Sequence, residues 1–261
     1  MDDRWPARLH IVTGKGGTGK TTVAGALALA LAGKGRRTLL VEVEGRQGIA
    51  PLFNVGPLPY AERRVATTAA GGEVHALAVD AEEALLEYLD MFYKLGLAGR
   101  ALQRFGAIDF ATTIAPGMRD VLLTGKVKEA TSRRRGGKRI YDAVILDAPP
   151  TGRIGRFLNV TAEAAKLAKV GPIKTQSDGV AAILRSPITA VHIVTLLEEM
   201  PIQETADAII ELGGLGIPVG RIIINATRPT LFDGYKPTAA EIKRGLVAAG
   251  LPAGRATVAG L

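Results

Sequence analysis

The chain contains no cysteine. That excludes disulfides, zinc–thiolate sites, iron–sulfur ligation and thiol catalysis by this chain. It also has no apolar run long enough to span a bilayer. The Ala/Leu stretch from Val23 to Ala32 is too short, and Lys34, Arg36 and Arg37 close it. Met1 to Pro6 is acidic and polar rather than basic and apolar, so no secretory signal is read there and a cytoplasmic location is expected. Histidine is scarce. His10, His75 and His192 each fall in a predicted strand, with no Ser–His–Asp or metal-ligand spacing around them. Buried, satisfied core histidines are expected. There is no internal repeat and no long low-complexity segment.

What is present suits a soluble globular protein. The 261 residues suffice for one large α/β domain, or for such a domain carrying a helical insertion. Hydrophobic residues make up 47% and charged residues 22%. Lys and Arg number 33 against 25 Asp and Glu, a net charge of +8. Part of that excess lies in one run, Arg133-Arg134-Arg135-Gly136-Gly137-Lys138-Arg139. Such a run contacts nucleic acid or an acidic membrane surface, or is a solvated, mobile loop. Short charge runs are usually the last.

Short aliphatic and β-branched runs predict six strands: Leu9 to Thr13, Thr38 to Val43, Val74 to Val79, Ala143 to Asp147, Ala190 to Leu196 and Arg221 to Asn225. Helical patterns lie between most of them. That alternation predicts a doubly wound parallel sheet covered on both faces. The interval from Asp80 to Ser132 differs, with helical segments and no clear strand. Ala81 to Lys94 places Leu85, Leu89, Phe92 and Tyr93 at helical spacing. A second segment runs through Leu102, Phe105, Ile108 and Phe110. Pro116-Gly117 then precedes another helix through Val121, Leu122 and Leu123. A helical subdomain over residues 80–132 is expected. Its Met, Phe, Tyr and Leu side chains pack on one another and on the sheet, or form a groove for a partner. A further helix is predicted over Ala239 to Gly250.

The strongest motif is Gly14-Lys15-Gly16-Gly17-Thr18-Gly19-Lys20-Thr21, a complete match to G-x-x-x-x-G-K-S/T. It follows a predicted strand and opens a helix running from Thr22 to Leu31. Glycines let backbone N–H groups converge on phosphate oxygens without Cβ clashes. The helix N-terminus adds unsatisfied N–H groups and a positive dipole end. Lys20 is expected to reach the β- and γ-phosphates of ATP, and the Thr21 hydroxyl to ligate Mg²⁺. A second acidic element, Tyr141 to Asp147, is a hydrophobic strand ending in a carboxylate. Such an Asp lies beside Mg²⁺ and orients its water. Ala148-Pro149-Pro150-Thr151-Gly152-Arg153 follows and reads as a loop with fixed bends. Glu198, Glu199 and Glu204 flank a bend at Pro201 and suggest no role.

Lys15, directly after the first glycine, resembles the signature lysine of ParA/MinD-like and nitrogenase-iron-protein-like ATPases. The resemblance implies a lysine reaching across a dimer interface to the partner subunit's nucleotide, acting as an arginine finger does. Asp147 to Gly152 resembles the D-S/T-x-P-T-G switch of the arsenite-pump and tail-anchored-protein-targeting ATPases. Pro150, Thr151 and Gly152 match, and Ala148 replaces the usual small hydroxyl residue. Pro116-Gly117 with Asp120 is similar to the P-G-x-x-D/E segment of that family's helical region. Ile223-Ile224-Asn225 is similar to its strand ending in an adenine-reading asparagine. With Val41 to Gly48, the nearest likeness is to the actinobacterial anion-transporting ATPase branch. The family implies one phosphate-loop ATPase domain over residues 1–261. It also implies ATP and ADP as ligands, a homodimer or a heterodimer with a related subunit, and switch loops driving a surface for a hydrophobic client or membrane partner.

The sequence departs from that family in three places. Glu44-Gly45-Arg46-Gln47 stands where an Asp-Pro-Ala-His element usually places the attacking water. Glu44 as a longer carboxylate, or Gln47 by hydrogen bonding, is the expected replacement. The absence of cysteine removes the thiolates that hold a metalloid in the arsenite pumps, and the zinc that joins the targeting dimers. Family members also continue into an adenine-covering segment beyond the position of Leu261. A protein lacking it is expected to bind nucleotide more weakly. Two rival readings remain. One is a partitioning or positioning ATPase on DNA or membrane, which the helical-region and switch motifs disfavour. The other is a nucleotide-sensing subunit with little turnover.

Overall fold

A computed structural model of the chain describes residues 5–93, 116–160, 162, 164, 171–228 and 234–259. They fall into two compact units, residues 1–225 and 226–261.

The first unit is built on a seven-stranded sheet. Its strands are β1 (Leu9–Gly14), β2 (Arg37–Glu42), β3 (Arg63–Thr67), β4 (Glu73–Ala78), β7 (Ala143–Asp147), β8 (Thr189–Thr195) and β9 (Val219–Ile224), in the order β3-β4-β2-β7-β1-β8-β9. Every pair is parallel except β3 with β4. β1 and β7 are buried along their whole length, which is why they read as continuous apolar runs.

Alternation along the strands divides the core in two. Leu9, Ile11, Leu39, Val41, Leu77, Val144, Leu146, Val191 and Ile193 share one face. That face is covered by α3 (Ala81–Tyr93), α4 (Pro116–Ser132), α5 (Thr151–Leu158), α6 (Pro172–Leu184) and α7 (Glu199–Gly214). Val12, Leu40, Val74, Ala76, Ile145 and Val194 face the other way. There they meet α1 (Lys20–Ala32) and the short α2 (Ile49–Leu52). Ala24, Ala28 and Ala32 are fully buried, so α1 lies close on the sheet. Among the described residues, Phe157 of α5 is the largest fully buried side chain. Phe157→Ala is expected to cost about 3–5 kcal/mol, read as a lower urea midpoint at unchanged slope.

Several expectations need correction. The sheet is mostly parallel, as the alternation predicts, but β3 adds an antiparallel edge strand that the sequence pattern does not show. Its sequence, Arg-Arg-Val-Ala-Thr, is too polar and too exposed to carry an aliphatic signal. The last strand starts at Val219 rather than Arg221. It is a second edge strand, and Ile222 and Ile224 are half exposed. The basic run is not a loop. It forms a hairpin of β5 (Arg134–Arg135) and β6 (Lys138–Arg139), turned by Gly136 and Gly137 at φ 57° and 78°. Both strands remain solvent-exposed.

In the 80–132 interval, α3 and α4 are helices. Asp80 accepts from Glu82 N at 2.8 Å and starts the first; Pro116 opens the second. Leu85, Tyr88, Val121, Leu122 and Leu123 belong to the same core cluster as the sheet. The segment through Leu102, Phe105, Ile108 and Phe110 lies outside the described residues, as do the side chains of Leu89, Phe92 and Tyr93. His10 and His192 are buried, their Nδ1 and Nε2 atoms 2.9 Å apart. Burial lowers His10 to about 4 and His192 to about 3, so both are neutral at pH 7. His75 is only half-buried and lies 3.2 Å from Glu73.

In the second unit, α8 (Ala239–Ala248) opens with a capping box between Thr238 and Glu241. A short α9 (Arg255–Ala259) follows. Among the described residues, no helix is long and apolar enough to cross a membrane.

Candidate functional site

The parallel strands end together at one edge of the sheet, and the sequence motifs converge there. β1 runs into the loop Gly14 to Gly19, and α1 begins at Lys20. Three glycines are required by geometry. A Cβ on Gly14 would stand 2.1 Å from the Val194 carbonyl oxygen of the neighbouring strand. Gly17 and Gly19 adopt φ of 86° and 88°, which L side chains rarely tolerate. The loop closes on itself through the Lys15 carbonyl. It accepts from Thr18 Oγ1 at 2.9 Å and from Lys20 Nζ at 3.3 Å. Space is open beside Gly16 and Gly17. Thr22 follows in the first turn of α1, exposed.

β7 lies between β1 and β2, so Asp147 is flanked in register by Val12 and Glu42. It accepts from Thr21 Oγ1 at 2.7 Å. Its other oxygen, Oδ1, is buried and has no hydrogen-bond partner. Burial raises Asp147 to about 6, against the Thr21 hydrogen bond and the Lys20 charge; Glu42 and Glu44 add to the rise. An orphaned, nearly buried carboxylate oxygen beside a threonine hydroxyl is the kind of oxygen donor set a hard cation such as Mg²⁺ takes. The residues therefore fit that ion. Lys20 is lowered chiefly by its own burial, partly countered by Asp147 and Glu44.

The second switch differs from its expectation as a loop. α5 begins at Thr151, directly after Pro150, so Thr151, Gly152 and Arg153 form a helical first turn. The Pro149 carbonyl accepts from Thr13 Oγ1 at 2.7 Å, tying this turn to β1. Thr151 is buried and donates to Glu204 Oε2 at 2.7 Å. Gly152 is exposed, with open space around it. Lys15 pairs with the same glutamate, through Oε1.

In the first switch, Glu44 is half-buried, 3.5 Å from Arg153 Nη1 and 3.6 Å from Arg46 Nε. The Gln47 side chain is fully used within the loop. Its Oε1 accepts from Leu58 N at 2.7 Å and its Nε2 donates to Leu58 O at 3.1 Å. Those bonds hold Gln47 at φ 54°, a strained value for a non-glycine residue. Asn225, just past β9, donates Nδ2 to the Thr18 carbonyl at 2.8 Å and so touches the phosphate loop.

Two participants carry no signal in the sequence. Glu42 is buried and accepts from Gly48 N at 2.9 Å and Ile49 N at 3.3 Å, fixing the end of the first switch. Its partners lie only a few residues on, but a glutamate inside a β-strand suggests no such bonding. Glu204 meets Lys15 and Thr151 across a long span of sequence, and only the fold brings them together.

Sheet, loop and paired Thr21–Asp147 define a phosphate-loop nucleoside triphosphatase. A family model described as anion-transporting ATPase matches residues 7–181, more than half of the chain. ATPase BagA of Mycobacterium tuberculosis is 55% identical over 271 residues, covering 98% of this chain and 80% of BagA. The arsenical pump-driving ATPase of Acidiphilium multivorum is 26% identical over 274 residues, covering 93% of this chain and 43% of that protein. The chain belongs to the anion-transporting ATPase family and is a nucleotide-binding ATP hydrolase.

Proposed function

We propose that this protein is a Mg²⁺-dependent ATPase of the cytoplasm that works as a dimer, with itself or with a related subunit. The observation that carries the reading is the Thr21–Asp147 pair, with its orphaned Asp147 oxygen beside Lys20. Thr21 would hold Mg²⁺ directly and Asp147 through water. The ion would supply charge neutralisation at the phosphates. The loop glycines and Lys20 bind and orient the β- and γ-phosphates. Glu44 positions the attacking water, and Asn225 contributes at the adenine end. Lys15 serves the partner subunit's nucleotide, which accords with its ammonium lying on Glu204 rather than on Asp147. Residues 1–261 act as one ATPase domain, with residues 80–132 the helical part that ATP-driven switch movements reshape for a hydrophobic client or membrane partner.

The test is ATP turnover by the purified protein with Mg²⁺ and with EDTA, for wild type and Lys20→Ala. Turnover that requires Mg²⁺ and is lost in the variant is expected. ATP bound but never hydrolysed, alone or with a related subunit, would overturn the reading in favour of a nucleotide sensor.

A further inference from the structure

Glu204 uses both carboxylate oxygens on the nucleotide site: Oε1 for the Lys15 ammonium and Oε2 for the Thr151 hydroxyl at 2.7 Å. The first partner belongs to the phosphate loop and the second opens α5 of the second switch. The helix carrying Glu204 is a firm support. Ala208 and Leu212 of α7 are buried in the core. Glu211, two turns on and on the same face as Glu204, packs against Gly155 of α5. It lies so close that a Cβ on Gly155 would stand 2.0 Å from its carboxylate. Thr151 and Gly155 are likewise one turn apart on α5. The α5–α7 contact therefore has two points, Thr151–Glu204 and Gly155–Glu211, and Lys15 bears on the first.

We infer that Glu204 is a positioning residue that holds Lys15 on its own chain and ties that position to the second switch. The inference rests on the proposed role of Lys15 toward a γ-phosphate. While the ammonium sits on Glu204, a phosphate must compete for it. When Lys15 leaves, the carboxylate loses its cation and keeps only Thr151, so the start of α5 senses the departure. Asp147, four residues before Thr151, is already bonded to Thr21. Loop and switch are thus joined twice, once beneath the phosphates and once at the rim.

Two readouts on Glu204→Gln test this, with Thr151→Val as a second variant in case the first fails to fold. The first needs no turnover: the acylation rate of the Lys15 amine in nucleotide-free protein, measured by peptide mass spectrometry against the other lysines. Glu204→Gln is expected to raise it about fivefold, the upper range for a partly exposed ion pair. The other lysines should not change. The second is the half-saturating ATP concentration, which should fall by about the same factor and show no such gain in a Lys15→Ala background. Thr151→Val should shift both readouts the same way but less. Equal Lys15 acylation in wild type and Glu204→Gln would overturn the hold. An ATP effect that persists without Lys15 would overturn the link to nucleotide. If no variant turns over ATP, the ATPase reading fails by itself; acylation and equilibrium ATP binding still decide the role of Glu204.

Discussion

Lys15→Ala is expected to lower ATP turnover about a thousandfold while changing ATP affinity by no more than about fivefold, since a cation supplied in trans acts mainly on the transferring phosphoryl group. The local geometry supports the separation. Lys20 Nζ lies within the loop, against the Lys15 carbonyl and near Asp147. Lys15 Nζ lies outside it, on Glu204. Removing Lys20 takes a cation from the site's own phosphates, so Lys20→Ala should lose both binding and turnover. Removing Lys15 should lose only the second. Steady-state turnover and calorimetric ATP binding on each variant distinguish the two. Mixing the variants provides a sharper check. In a mixed dimer, the Lys15→Ala subunit keeps an intact nucleotide site and receives a normal Lys15 from the Lys20→Ala subunit. Activity should reappear in a mixture of two nearly inactive proteins. No recovery, with mixed dimers demonstrably formed, would place Lys15 in its own subunit's site or outside the chemistry.

The parts of this site legible in the sequence share a physical character. Gly14 to Thr21 is a continuous segment whose geometry is set by its own residues, and glycines at positive φ mark it. Asp147 ends a strand buried on both faces, so an acid after four apolar residues stands out. The central strands were legible for the same reason. The edges were not. β3 and the basic hairpin are exposed and polar, and pairing with a neighbour, rather than an apolar pattern, makes them strands. Thr151 reads as part of a loop because two prolines precede it. Proline just before a helix starts it as readily as it bends a loop, and Pro150 stands at the N-cap position of α5 here, making no side-chain capping bond. Glu42 and Glu204 were invisible because a carboxylate's partners are fixed by the fold. Pro201 and the neighbouring acids gave no hint that one of them faces Lys15.

Asp147→Asn is expected to stabilise the nucleotide-free protein at pH 7.5 by roughly 2–3 kcal/mol while abolishing Mg²⁺-dependent turnover. The sign follows from the raised value of about 6 against 3.8 for an unperturbed Asp. Below about pH 4 the carboxyl is protonated in folded and unfolded chains alike and costs nothing. Between about pH 4 and 6 the unfolded chain releases its proton first, so native stability falls as pH rises. Above that window the penalty is complete, because the folded chain then holds a nearly buried charge with an unpartnered oxygen. Asparagine keeps an acceptor for Thr21 and removes the charge. The variant should therefore match wild type near pH 4 and exceed it at pH 7.5, as read by urea unfolding at both values. Adding Mg²⁺ and ATP should reverse the ranking, since binding to the folded state stabilises wild type by mass action and the variant has lost its acidic partner for the cation. The same carboxylate would then destabilise the empty fold and be required in the loaded one, the conflict expected at a functional site. A variant no more stable than wild type at pH 7.5 would mean that Asp147 ionises without cost, and its unpartnered oxygen would no longer argue for a cation.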